Sequence, residues 1–313
     1  MKERIIPVVS FPNTAGGILA YLAKRTADTI GKQVDRAPVI VVGKVEKSEG
    51  RSVPVRSEHV ASLEPWLTGD AGEEPKIFVQ LTTVMVERWL IGPADDKQLH
   101  IAYVYPSEVV PRSPGFVPVF YREDRGLLFL KKVPGDAEYA PYIPRPAYQL
   151  AEGETGVRNL LVTDYDEEGQ PSIRDETAKA ENTVAAVQWY DSLPKEKPED
   201  IHKALLKALD SPNPLVRHHA IRALAYRGER STAKAFEDRL KDADQDLHIR
   251  LVLGLWLLGE RETAGNLLEE FFQSHGKDAW LDAWDIKATL VEKGEVVETL
   301  YGPDPSEVKG ESS

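Results

Sequence analysis

Two groups of side chains in this 313-residue chain have the residue types and spacing for chemistry. The first is the run from Asp164 to Asp175. A calcium loop of the EF-hand kind needs oxygen ligands at positions 1, 3, 5 and 12 and a glycine at position 6. Counted from Asp164, those positions hold Asp164, Asp166, Glu168 and Asp175, with Gly169 at the sixth. These four carboxylates are the candidate metal ligands, and Ca²⁺ is the ion they would suit. Three features weigh against the loop. Glu168 is longer than the usual Asp or Asn, Asp175 is short for a two-oxygen contact, and Pro171 stands where an apolar extended residue belongs. No helical pattern leads into it. A solvated acidic turn or linker uses the same residues.

The second group is Arg217, His218, His219 and Arg222, with Arg227 and Arg230 beyond it. Neighbouring side chains on a helix point about 100° apart, so His218 and His219 cannot share one metal without ligands from elsewhere. The group reads instead as the rim of a helical surface, where Arg217, His218, His219 and Arg222 would meet a protein partner. A phosphate backbone is a poor fit. Asp238, Asp242, Asp244 and Asp246 lie just beyond, and the chain's net charge of -12 gives no basic face to neutralise phosphates. No nucleic acid is therefore expected.

No HExxH, GxSxG, P-loop or GxGxxG motif occurs. Cysteine is absent, which removes disulfides, thiolate nucleophiles and Cys-ligated metals. The acidic pairs Asp95-Asp96 and Glu73-Glu74 fall in loop-like stretches and read as solvated turns. A non-enzymatic role is expected. The competing enzymatic arrangement would set Asp164, Asp166 and His218 or His219 around a metal in a cleft, as a metal-dependent hydrolase.

The elements that must carry these residues begin with a repeat. Leu209 to Glu229 is written again from Leu240 to Glu260 with no gap: Gly228 falls on Gly259, Val216 on Leu247, Ile221 on Val252 and Leu224 on Leu255. Each copy spaces its apolar residues at i, i+4, i+5 and i+8, which is one face of a helix. A helix-sized stripe recurring at a fixed period marks a stacked-helix array, whose units each leave an apolar face for a neighbour to cover. Asn213 is placed to cap and Pro214 to start a helix, and the Gly-Glu after each copy reads as a C-cap and turn. Further helices are expected over 199–210 and 262–274, and a degraded copy closes at Gly294-Glu295. The segments SPNPLVRHHAIRALAYRGE and ADQDLHIRLVLGLWLLGE resemble the short HEAT-like repeats of bacterial and archaeal proteins, with Asp210, Val216, Arg217, Ala220, Ala223, Leu224 and Gly228 on the pattern. The resemblance implies an α-solenoid that binds another macromolecule, with the Arg pairing to an Asp of a neighbouring turn.

The first half is read as strands. Ala37 to Val45 is a β-branched run, Lys76 to Gly92 is the longest candidate, and Leu99 to Tyr105, 116–121, Gly126 to Lys132 and Val157 to Thr163 follow. Strands of this number and length close into a small barrel. IVVGKV, VERWLIG, LHIAYVY and GLLFLKK together look like the OB-like β-barrel module of many bacterial exported proteins, which implies a barrel and no catalytic residue. The Pro- and Tyr-rich stretch 134–156 is expected to lie extended over that barrel. Residues 15–30 carry Ile18, Leu19, Leu22, Ala23 and Ile30 at helical spacing, a short helix expected to pack on the β domain.

The expected fold class is α+β: an N-terminal OB-like small β-barrel followed by a C-terminal α-solenoid of HEAT-like helical pairs. The expected divisions are an N-terminal segment over 1–36, the barrel over 37–163, an acidic linker over 164–182, the helical repeats over 183–300 and a disordered tail over 301–313. The expected role is a scaffold that binds another protein on the repeat surface; a structural subunit of a cell-surface or filament assembly is the other non-catalytic reading. The N-terminus is basic and weakly apolar but broken by Pro7, Pro12, Gly16 and Gly17, so it is no signal peptide, and no run reaches the roughly 20 apolar residues of a membrane span. A mature exported form is favoured over a cytoplasmic one. The oligomeric state is left open.

Overall fold

A computed structural model describes residues 15–16, 18–20, 29–55, 67–68, 74–93, 96–105, 121–137, 139–151, 157–165 and 171–276. The chain forms two compact units, Ile30–Ser192 and Met1–Thr29 with Leu193–Ser313.

The first unit opens with helix α1 (Ile30–Arg36) and strand β1 (Val39–Pro54). Strands β2 (Leu67–Thr68), β3 (Lys76–Ile91), β4 (Gln98–Tyr105), β5 (Arg125–Lys132), β6 (Ala147–Leu150), β7 (Val157–Tyr165) and β8 (Pro171–Asp175) follow, then helix α2 (Thr177–Asp191). Val39-Ile40-Val41-Val42 is buried on both faces, as a β-branched run without alternation should be. β1 pairs antiparallel with β3 over nearly its whole length, Val45 opposite Val84 and Pro54 opposite Lys76. Its first residues pair on the other edge with β5, Val39 opposite Leu130 and Lys44 opposite Arg125. β3 pairs with β4, β4 runs parallel to β6, and β6 pairs back onto β5. The strands β1, β3, β4, β6 and β5 are thus joined edge to edge in a closed circuit of pairings.

Alternation along the strands produces two apolar clusters. Leu99, Ile101 and Tyr103 of β4 join Val84, Leu128 and Tyr148 in one. Ala102 of β4 joins Ile77, Val79, Leu81, Ile143 and Ala147 in the other. Each fully buried aliphatic side chain in them contributes about 1.5–3 kcal/mol. The Pro- and Tyr-rich stretch supplies Ile143 and Ala140, both buried, to the second cluster's side, a 3-10 turn at Ala140–Tyr142, and the four-residue β6. It is therefore laid over the sheet as expected, and it also adds a strand that the prolines around it conceal.

The stretch 164–182 is not a linker. β7 runs on to Tyr165 and pairs with β8, Asp164 opposite Ser172 and Tyr165 opposite Pro171, and α2 starts at Thr177. Asp175 Oδ1 accepts a hydrogen bond from the Thr177 backbone N–H at 2.9 Å, satisfying one of the free donors at the helix start. α2 buries Ala180, Thr183, Val184 and Val187, one helical face, and packs on α1 and on β7. The Tyr190 hydroxyl donates to the Asp35 carboxylate, 3.0 Å from each oxygen, and Arg88 of β3 reaches Glu181 at 3.0 Å. α2 consequently belongs to the sheet unit, so the division falls at Ser192 and not within 164–182.

The second unit holds α3 (Pro198–Ala208), α4 (Pro214–Arg227), α5 (Arg230–Leu240), α6 (Gln245–Leu258) and α7 (Arg261–His275). Residues 15–16 and 18–20 are helical and belong to this unit, which corrects their expected packing on the β domain. The physical reason is burial: Ala15, Ile18 and Leu19 are 6%, 3% and 0% exposed, and Gly16 lies against the Trp256 indole of α6. The strand expected over 116–121 lies mostly outside the described residues; the degraded repeat copy and the tail over 301–313 lie wholly outside them.

Candidate protein-interaction surface

The two copies of the repeat are built alike. Asn213 Oδ1 accepts from the Leu215 N–H at 3.0 Å, and Asp244 Oδ1 accepts from the Leu247 N–H at 2.8 Å. Asn213 and Asp244 are equivalent positions of the repeat, as are Gly228 and Gly259, which end α4 and α6 at φ of +70° and +97°. A side chain at φ above zero is strained, so glycine fits there and an N-cap acceptor at the other end completes each helix. Ile221 and Leu224 of α4 and Val252 and Leu255 of α6 are each at most 1% exposed, and the two helices pack against each other. α3 packs on α4, α5 on α6, and α6 on α7. Gly254 lets this happen at close range: a Cβ there would stand 2.8 Å from an Ile221 methyl and 2.6 Å from the Phe236 ring.

Polar contacts tie the helices and turns of this unit together. Arg239 of α5 holds Asp210 through both oxygens, Nε to Oδ1 at 2.7 Å and Nη2 to Oδ2 at 2.8 Å. Arg217 Nη1 donates to the carbonyls of Ser211 and Pro212 at 2.9 and 3.3 Å, while its Nη2 lies 4.0 Å from the Asp244 carboxylate. Arg217 therefore ties the turn before α4 to the cap of α6.

Of the four expected partner-binding residues, two are built into the fold. Arg217 is consumed as just described. Arg222 is 1% exposed; its Nη2 donates to the Tyr226 hydroxyl at 2.9 Å, and its guanidinium carbon lies 5.5 Å from the centre of that ring. Position i to i+4 on one helix puts the pair in register. His218 and His219 are half-buried, and His219 Nδ1 lies 3.0 Å from Thr29 Oγ1. The side chains that face outward are different ones. Tyr226 is 62% exposed, the most of any large hydrophobic described, and Arg261 is exposed, its guanidinium carbon 5.3 Å from the ring centre of the half-buried Trp256. Tyr, Trp and Arg are the residue types that dominate protein-binding hot spots. No repeat equivalence marks them, because the period tracks the buried stripe and not the outer face.

At the far end of the array His248, the equivalent of Arg217, stacks on Phe271 at 5.1 Å, and His275 stacks on the same ring at 4.5 Å. Burial pushes the His248 imidazole below its ordinary value of 6.5; His275 pushes the same way, while Glu270 and a backbone hydrogen bond at Leu267 oppose it.

Two of the four candidate metal residues fall among the described residues. Asp164 lies in β7, Asp175 caps α2, and Asp166 and Glu168 lie outside the described residues. Among the described residues no group of three or more His, Asp or Glu is placed to hold a metal ion. The sheet unit also carries a cavity of about 330 Å³ beside β5 and β6, lined by Val133, Ala140, Ile143, Pro146 and Ala147 together with Lys132 and Arg145.

Residues 197–279 match the family model for HEAT repeats. The match covers α3 to α7, including α4 and α6 with their equivalent caps. No curated protein matches the chain. Among the described residues no helix is long and apolar enough to cross a membrane.

Proposed function

We propose that this chain is a non-enzymatic interaction protein that binds another protein on the surface of its helical repeats. The observation that carries the reading is the HEAT-repeat match over 197–279, since HEAT repeats commonly mediate protein–protein interaction. The repeated caps, the glycine-mediated close approach of α4 and α6 and the reach of Arg217 to Asp244 support an α-solenoid. Tyr226 and Arg261 supply the outward aromatic and cationic groups such a surface uses.

The sheet unit is read as an OB-like barrel. The circuit β1–β3–β4–β6–β5–β1 with its single parallel step between β4 and β6 supports this, because it is the pairing order of a five-stranded Greek-key barrel. Its role in the reading is a second docking surface.

The test is affinity capture from the native source with the full chain and with Tyr226→Asp/Arg261→Glu. A protein retained by the unaltered chain at physiological salt and reduced at least tenfold by the variant is the expected result. Equal retention by both chains overturns the assignment of the surface.

A further inference from the structure

We propose that the cavity beside β5 and β6 is a binding site for a small apolar monocarboxylate, whose hydrocarbon body lies against Ala140, Ile143 and Ala147 and whose carboxylate meets Arg145 and Lys132. The proposal concerns the sheet unit alone and does not rest on the reading of the repeats.

At about 330 Å³ the cavity stands at the small end of the range, roughly 300–1,000 Å³, that small-molecule sites occupy. Its lining divides in two. Ala140, Ile143 and Ala147 are 1%, 8% and 6% exposed, and the half-buried Val133 lines it with them. Lys132 and Arg145 are exposed, and among the described residues neither forms an ion pair. No Asp or Glu contributes to the lining. A ligand complementary to both parts has an apolar body and one anionic group. The body takes the buried residues out of contact with water, and the charge stays beside the two cations. The chain as a whole carries a charge of -12, so an anion is drawn here by these two side chains and not by the general field.

The walls are tied down before any ligand arrives, which lowers the ordering cost of binding. Lys132 ends β5 opposite Tyr148 of β6, and the next residue, Val133, donates its N–H to the Ala147 carbonyl at 3.0 Å. The 3-10 turn at Ala140–Tyr142 is held from both sides. The Tyr139 hydroxyl donates to Gln149 Oε1 at 3.1 Å, and Arg51 Nη1 of β1 donates to the Tyr142 carbonyl at 3.1 Å. Arg145 Nη2 donates to the Gly135 carbonyl at 3.3 Å, which leaves its Nη1 and Nε donors for a ligand. Two donors on a planar fork match the two oxygens of a carboxylate. A phosphate would set further charged oxygens against the apolar lining, where nothing pairs with them.

The experiment titrates the full chain, carbon-13 labelled at its alanine and isoleucine methyls, with hexanoate, 1-hexanol, acetate and inorganic phosphate at physiological salt. Hexanoate is expected to shift the Ala140, Ile143 and Ala147 methyl resonances saturably. Acetate keeps the charge but lacks four methylenes, and should bind at least tenfold more weakly, since each buried methylene is worth about fourfold. Hexanol keeps the body but lacks the charge, and should be weaker than hexanoate by about tenfold. Arg145→Gln, with a cooperative melt confirming that it folds, should weaken hexanoate by a similar factor and leave hexanol unchanged. A side chain that merely held the wall would move both alike, and that result overturns the proposal. So does the lack of a saturable shift at these methyls, equal binding of hexanoate and hexanol, or phosphate binding as tightly as hexanoate. Should Arg145→Gln fail to fold, the comparison of hexanoate with hexanol on the unaltered chain decides.

Discussion

Asp210 and Arg239 form a two-pronged ion pair, with Nε···Oδ1 at 2.7 Å and Nη2···Oδ2 at 2.8 Å, that fastens the turn between α3 and α4 to α5. The Arg239 guanidinium, chiefly through its hydrogen bond, holds the Asp210 carboxyl below its ordinary 3.8. Asp210 is mostly exposed, so the pair is screened, but its bidentate geometry places it among the stronger surface pairs. Arg239→Ala should lower stability by about 0.5–1 kcal/mol in chemical denaturation near neutral pH. Because the folded carboxyl titrates below the unfolded one, this contribution is fully present above about pH 4 and is lost as pH falls through the folded value. The gap between the unaltered chain and Arg239→Ala should therefore close in acid. A gap that is constant down to pH 3 would show that the arginine acts by packing alone.

The Tyr190–Asp35 contact makes the opposite prediction at high pH. Burial first, then the hydrogen bond and the charge of Asp35, push the Tyr190 phenol up to about 12 from its ordinary 10. A raised phenol stabilises the fold in its protonated form, an effect fully present below pH 10 and lost as pH rises through 12. Ultraviolet titration of the folded chain should show one tyrosine ionising about two pH units late, missing in Tyr190→Phe. The same substitution removes a hydrogen bond to a charged group and should cost about 1.5–3 kcal/mol, reduced here by the partial exposure of the site.

His248 should make the repeats acid-sensitive. Its Nε2 is buried with no hydrogen-bond partner among the described residues, and burial disfavours its charged form. The unfolded imidazole then binds a proton at higher pH than the folded one. Stability contributed by the neutral ring is intact above about pH 6.5 and falls as pH drops through the folded value, at most about 1.4 kcal/mol per pH unit. Denaturation at pH 7.5 and 5.5 should show this loss in the unaltered chain and a smaller one in His248→Leu. Identical losses would place the acid sensitivity elsewhere.

What was legible in the sequence was whatever repeats or alternates. The offset that sets Asn213 on Asp244 and Gly228 on Gly259 located the caps and the buried stripe, because caps and core are fixed by local backbone geometry. The long strands β1, β3, β4 and β5 showed as β-branched runs, because burial on a sheet face demands them. β6 was missed: four residues after Pro146 carry too short a pattern, and it is recruited by pairing with both β4 and β5. The expected start of the repeats at residue 183 cuts through α2, because its first turn is polar and only Asp175 and its packing on β7 reveal where the helix begins and what it packs on. Arg222 has the charge of a partner surface but is buried, and Arg217 is engaged by the carbonyls of the preceding turn. Position i+4 pairing with Tyr226 and the reach of Arg217 to the preceding turn are three-dimensional facts with no periodic trace. Which unit buries Ile18 and Leu19 was not legible, because an apolar pattern at helical spacing is the same wherever the helix docks.

Two glycines in neighbouring helices should respond in opposite directions to one methyl. Alanine is favoured over glycine inside a helix by about 1 kcal/mol. At Gly265 of α7 an added Cβ meets nothing within 4 Å, so Gly265→Ala should stabilise the chain by about 0.5–1 kcal/mol. At Gly254 of α6 the same Cβ would meet Phe236 at 2.6 Å and Ile221 at 2.8 Å, side chains that are 0% and 1% exposed and have nowhere to move. Overpacking of this kind costs about 1–3 kcal/mol, which exceeds the helical gain. Gly254→Ala should thus destabilise, and Phe236→Leu made beside it should recover part of the loss by shortening the ring that the methyl strikes. Equal stabilisation by both alanines would mean that α4, α5 and α6 do not meet at Gly254, and the close-packed array would lose its central contact.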